Sequence, residues 1–195
     1  MLIEELFTRG IMTMGASKID PRREVGVFRP EAVAGLPAAR TAAMEQFRWI
    51  AGDWNYENRV PATRVSPAYT DVGSTRFAFC ERDGWICTVA PDGKETRSIT
   101  FDPFSGEWIY VLTQGSYGML QSAEGWVDRR IIFSGPMTMI GIHCEWRMTW
   151  TKTSDDAFRF VNEERAANGA WDFIDEWRFE RRQPANDSRG GDSPG

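Results

Sequence analysis

Two-residue alternation runs through the chain from Trp54 onward, and it is clearest near the end. Between Phe158 and Phe179, apolar and polar residues alternate on both sides of Asn168-Gly169. That dipeptide favours the left-handed backbone a tight hairpin turn needs. If it is the whole turn, Phe160 faces Trp177, Asn162 faces Asp175, Glu164 faces Phe173 and Ala166 faces Trp171. These residues share one face of the hairpin. It is aromatic except for Asn162, Glu164 and Asp175. The other face carries Arg159, Glu163, Arg165, Asp172, Glu176, Arg178 and Glu180, a solvated charge lattice. The first face is therefore a core, or a cavity wall that contains carboxylates.

The same pattern predicts strands over 53–61, 69–80, 85–90, 96–102, 107–114, 117–126, 129–135, 142–152, 157–166 and 171–181. Turn signals separate them at Asp83-Gly84, Pro91-Asp92-Gly93, Pro103-Phe104-Ser105-Gly106 and Gly135-Pro136. About ten short strands without interior helices define an all-β antiparallel meander. An up-and-down barrel removes its exposed edges, and a two-sheet sandwich is the alternative. Ahead of the strands, Pro30-Glu31 can open a helix that Pro37 interrupts, and Ala38 to Trp49 is the better helical run, ended by Gly52. Residues 1–37 read as an N-terminal extension, 38–182 as a barrel domain with a leading helix, and 183–195 as a disordered Gly/Pro-rich tail.

Composition narrows the function classes. The 195 residues suffice for one sizeable domain, and nine tryptophans with twelve phenylalanines suit an aromatic core or an apolar ligand cavity. That aromatic surplus also points to a homodimer. A net charge of −5 disfavours nucleic acid and anionic membranes as partners. No apolar run nears the roughly 20 residues of a membrane span. Acids at Glu4 and Glu5 stand where a signal peptide carries basic residues, so a cytoplasmic location is expected. Cys80 and Cys87 flank Asp83-Gly84, and counting outward sets them opposite each other, within disulfide range. In a reducing cytosol they are expected as packed thiols. One histidine and no Cys-x-x-Cys leave no local zinc set, and no cofactor is expected.

Trp49-Ile50-Ala51-Gly52-Asp53-Trp54 resembles the helix-then-Gly-x-Trp opening of lipocalin-like (calycin) barrels. Phe101-Asp102-Pro103-Phe104-Ser105-Gly106, Glu124-Gly125-Trp126, Trp146-Arg147, Asp155 to Phe160 and a last strand ending at Arg181 extend the likeness. Together they are similar to an uncharacterised bacterial lipocalin-like family known only as a domain of unknown function. The resemblance spans about 47–182 and implies a barrel with an internal pocket, without implying a reaction. The long N-terminal segment departs from the family pattern.

The chemistry on offer is sparse. Charged residues are rarely buried unless paired, so Asn162, Glu164 and Asp175 would anchor a ligand head group or act as a base. Glu164 also fits a solvated position at the barrel rim. Arg147 is the natural counter-charge, but its facing has two solutions. Hydrophobicity puts Trp146, Met148 and Trp150 inside, whereas a four-residue loop over Thr153 to Asp156 puts Arg147 inside. His143 is the sole histidine, and no nucleophile triad, P-loop or dinucleotide motif appears. Tyr110 stands out among the tyrosines by its mid-strand position. The candidate ligand-binding set is Tyr110, Arg147, Phe160, Asn162, Glu164, Trp171, Phe173, Asp175 and Trp177; no catalytic residue can be named. Binding of a small, largely apolar or aromatic molecule is the first reading. A cofactor-free isomerase, cyclase or decarboxylase is the second, and a solidly filled structural barrel the third.

Overall fold

The computed structural model describes residues 34–64, 66–80, 84–89, 95–114, 117–139 and 142–183. The expectations for 1–33 and 184–195 lie outside the described residues. Two compact units divide between Leu36 and Pro37, and the barrel belongs to the second.

Helix α1 (Leu36–Met44) runs into a 3-10 helix over Glu45–Ile50. Pro37 lies in the first turn of the helix, where a proline gives up an N–H that had no partner anyway. Eleven strands follow: β1 (Gly52–Val60), β2 (Tyr69–Phe79), β3 (Trp85–Val89), β4 (Glu95–Asp102), β5 (Glu107–Gln114), β6 (Tyr117–Ala123), β7 (Trp126–Val127), β8 (Arg130–Met139), β9 (Ile142–Lys152), β10 (Ala157–Arg165) and β11 (Trp171–Arg181). Each pairs antiparallel with the next, except where the two-residue β7 intervenes. β1 pairs β11, and β6 meets β8 at Ser122↔Ser134, which closes the sheet. The result is a ten-stranded antiparallel barrel with one extra strand. No described helix is long and apolar enough to cross a membrane.

The interior is aromatic from the helix end to mid-height. Phe158 lies on Phe179 at 4.3 Å, and Trp150 stacks on Phe160 at 5.1 Å. The 3-10 helix adds to it: Phe47 sits 4.7 Å from Trp108 and 5.0 Å from Trp126, and Trp49 meets Phe158 edge-on. Arg181 clasps this junction. Its guanidinium lies 4.3 Å over Trp54 and donates to the carbonyls of Ala51 (3.0 Å) and Trp49 (2.5 Å). Gly52 adopts φ 133°, and a Cβ there would stand 2.7 Å from Arg181 Nη1. Glycine is required both for the backbone and for the guanidinium beside it.

Three registers differ from simple counting. In the last hairpin, Phe160↔Trp177 and Asn162↔Asp175 form as expected. Beyond them a bulge leaves Ile174 unpaired, so Glu163 faces Phe173, Glu164 faces Asp172 and Arg165 faces Trp171. The turn is also longer: Gly169 N–H donates to Ala166 O, and Ala166 N–H to Ala170 O. Between β9 and β10, Lys152 pairs with Phe158 across five residues, not four. Between β2 and β3, Ala78 faces Cys87 and Phe79 faces Ile86, so Cys80 is offset from Cys87 by two residues. Cys80 and Cys87 are nonetheless joined as a disulfide, with Cα atoms 5.9 Å apart, in place of the expected pair of thiols.

Candidate functional site

At the end of the barrel away from the helix, inward residues change from aromatic to polar. β10 supplies Asn162 and β11 supplies Asp175, directly across the ladder. Asn162 Nδ2 donates to Asp175 Oδ1 at 2.7 Å, and Trp146 Nε1 donates to Asn162 Oδ1 at 3.3 Å. The Asn162 amide is thereby fixed, with its donor aimed at the carboxylate. Burial pushes the Asp175 carboxyl above its ordinary range. Hydrogen bonds from Asn162 and Trp177 and the positive charge of Arg97 oppose that shift without cancelling it.

Arg97 comes from β4, where alternation with Ile99 and Phe101 directs it inward. Its guanidinium lies 4.7 Å over the Trp177 ring. Tyr56 of β1 packs 5.2 Å from the same ring and approaches Asp71 at 3.5 Å. A Cβ on Gly73 would stand 2.6 Å from the Tyr56 hydroxyl, so glycine at that position lets the phenol lie across β2. Burial, and then Asp71, raise the Tyr56 hydroxyl above its usual value, while Arg97 lowers it. It stays a neutral donor at ordinary pH. The arrangement is a cup with an aromatic floor, one buried acid and one arginine. It can orient a small molecule by charge and hydrogen bonds, and Asp175 can hold or release a proton there.

The nine sequence-predicted residues separate into two groups. Phe160, Asn162, Asp175 and Trp177 meet inside, and Tyr110 lies buried beneath them, 5.6 Å from Phe133. Glu164 shares their face and is half-buried, paired in register with Trp146 and Asp172. Arg147, Trp171 and Phe173 are elsewhere. Trp146, Met148 and Trp150 are buried, so Arg147 points outward, where it bonds Glu163 at 2.6 and 2.9 Å. It also lies 4.4 Å over Trp171, and Phe173 is half exposed. The Ile174 bulge explains this, because one extra residue turns everything between it and the loop to the opposite face.

Arg97, Asn58 and Gln121 were not among the predicted set, although alternation marks all three as inward. Arg97 precedes Ile99 and Phe101 by even steps, and Gln121 stands between Met119 and Ala123. His143 is exposed and bonded to Thr138 at 2.7 Å. Burial, then Glu164 and Glu145, push the Cys144 thiol up, which makes it a poor nucleophile. Among the described residues, no group of three or more His, Cys, Asp or Glu is arranged to hold a metal. A cleft of about 780 Å³ opens on the barrel near Ser122 and Ser134, lined by Trp126 and Ile132 with Glu124, Asp128 and Arg130. None of the predicted residues lines it, and these three charged side chains are exposed.

No family model matches the chain, and no curated protein matches it. Among solved structures, the chain is similar to Rv2717c from M. tuberculosis, with a TM-score of 0.50 and 14% identity over 72% of this chain and 98% of that one. At that identity the likeness concerns the fold alone. A protein of unknown function from the DUF3598 family, from Nostoc punctiforme, aligns with a TM-score of 0.32 and 9% identity, over 70% of this chain and 49% of that one. That likeness carries no argument.

Proposed function

We propose that the protein binds a small, largely apolar or aromatic molecule in the mouth of the barrel. The molecule's polar end would lie at Asp175, Asn162 and Arg97. A lipocalin-like assignment, on the Trp49–Trp54 segment and the Arg181 clasp, belongs to the same reading. The observation that carries it is Asp175, a carboxyl held by Asn162 within an aromatic wall. Such a group is costly to bury, and a barrel that needed only a core would fill the position with an apolar side chain.

Native mass spectrometry of the purified full chain tests the proposal, together with titration of 1-anilinonaphthalene-8-sulfonate, an aromatic anion. A discrete adduct lost on denaturation, or saturable dye emission reduced by Asp175→Asn, supports binding. Bare chain mass with no dye response overturns it.

A second reading has one observation in its favour: burial raises the Asp175 carboxyl above its ordinary range, which favours its use as a general acid or base. Product formation from a candidate substrate that stops in Asp175→Ala would separate an enzyme from a carrier. The reading also includes self-association, supported by exposed Leu120 and Ile132 on strands β6 and β8. Sedimentation velocity at micromolar concentration decides that point. A cytoplasmic location completes it.

A further inference from the structure

Gln121 is 1% exposed, and neither its amide nitrogen nor its carbonyl oxygen has a hydrogen-bond partner. Buried carboxamides in native proteins are almost always satisfied at both ends. Turning the amide over does not help, because both ends are unpartnered and the same two deficits return. Asn58 Oδ1 is a second buried acceptor without a donor. These atoms fit an interior that is completed by something other than the chain.

The position of Gln121 indicates where that something arrives. It is an inward residue of β6, with Tyr110 as its register partner on β5. One inward step towards the mouth is Met119, which faces Leu112, which in turn faces Arg97. Arg97, Leu112 and Met119 are only partly buried. Gln121 therefore lies directly beneath the row that lines the cup on the side away from Asp175. Leu112 and Met119 are the flexible side chains that must move for a ligand to reach it.

An amide with a free N–H and a free C=O pairs best with a group that offers an acceptor and a donor side by side. A ring amide does this with two parallel hydrogen bonds. A ketone or an ether would leave the Gln121 carbonyl unpaired, and a carboxylate would set a negative charge against it. Tyr110, the register partner of Gln121, packs against Phe133 and Trp150, and such an aromatic neighbourhood favours a flat partner. We propose that Gln121 reads the amide edge of a planar lactam or imide heterocycle bound in the barrel. This rests on the binding function proposed above and names its ligand class.

The test compares three probes on the full-length chain by tryptophan quenching and calorimetry: 2-quinolone, N-methyl-2-quinolone and naphthalene. N-methylation removes the lactam donor and keeps the ring. The wild-type protein should bind 2-quinolone roughly tenfold more tightly than its N-methyl derivative, because a site built to hydrogen-bond a group rejects the analogue lacking it. Gln121→Met should bring the two affinities together. Equal affinities in the wild type, or a preference that survives Gln121→Met, overturn the lactam assignment. The wild-type comparison decides the matter even if the variant does not fold. If naphthalene still binds, only the ligand class falls. If none of the three probes binds, the binding function falls with it.

Discussion

Asn162 and Asp175 face each other across the β10–β11 ladder, joined by a 2.7 Å hydrogen bond from amide to carboxylate. The neighbouring positive charge belongs to Arg97, three strands beyond β1, and not to Arg147 on the adjacent β9. This pairing sets the electrostatics of the barrel mouth.

The raised carboxyl of Asp175 makes stability depend on pH. An acid whose folded value exceeds its unfolded value binds its proton more tightly in the native state. Its contribution is fully present below the ordinary aspartate range and is lost as pH rises through the folded value. The difference in unfolding free energy between Asp175→Asn and wild type should therefore move in the variant's favour from pH 4 to pH 7. Urea denaturation at the two values measures it. Arg97→Met should move the wild-type transition to still higher pH, because the arginine opposes the shift.

Arg181 holds the helix junction to the last strand through two backbone carbonyls and the Trp54 face. Arg181→Met should cost about 2 kcal/mol, as charge-assisted hydrogen bonds do. Gly52→Ala should cost of order 1–3 kcal/mol through its positive φ, and the Cβ also meets the guanidinium. In the double variant the two costs should fall short of their sum, since they damage the same contact. Equilibrium unfolding of the three variants provides the comparison.

Thiol counting addresses the β2–β3 hairpin. Protein denatured without reductant should show one reactive thiol, Cys144, with Cys80 and Cys87 unreactive until reduction. For so short a loop, reduction should lower stability by about 2–3 kcal/mol. Rapid alkylation during cell lysis, followed by mass analysis, would show which form exists in the cell.

Gln121→Met should stabilise the unliganded protein by about 1–3 kcal/mol, since it exchanges unpaired polar atoms for apolar ones of similar volume. Thermal unfolding reads this directly. A gain in stability together with lost affinity is the usual signature of a residue kept for binding.

The barrel was legible because alternation survives wherever one face of a strand is buried. Eight of the ten strand runs matched to within a residue at each end, and the Asn162–Asp175 pairing followed from the hairpin alone. What failed to show was parity. The Ile174 bulge, the five-residue connection after Lys152 and the two-residue offset between β2 and β3 each shift a register, and no residue type announces them. Trp171 and Phe173 were misplaced for this reason, and for the same reason alternation left the facing of Arg147 open. Arg97 was overlooked for another: its partner Asp175 is distant in sequence, and only barrel closure brings β4 and β11 to the same cup.

The closure itself has a mechanical consequence. Among the described residues, β6 and β8 share a single register pair, Ser122↔Ser134, whereas β8 and β9 share ten. A cylinder closed along one line by one bridge will unzip there first. Amide protons of β6 should accordingly exchange with solvent well before those of β9 and β10. Gln121 stands one residue from that bridge, so the closing line of the wall runs beside a side chain whose amide is unpaired at both ends.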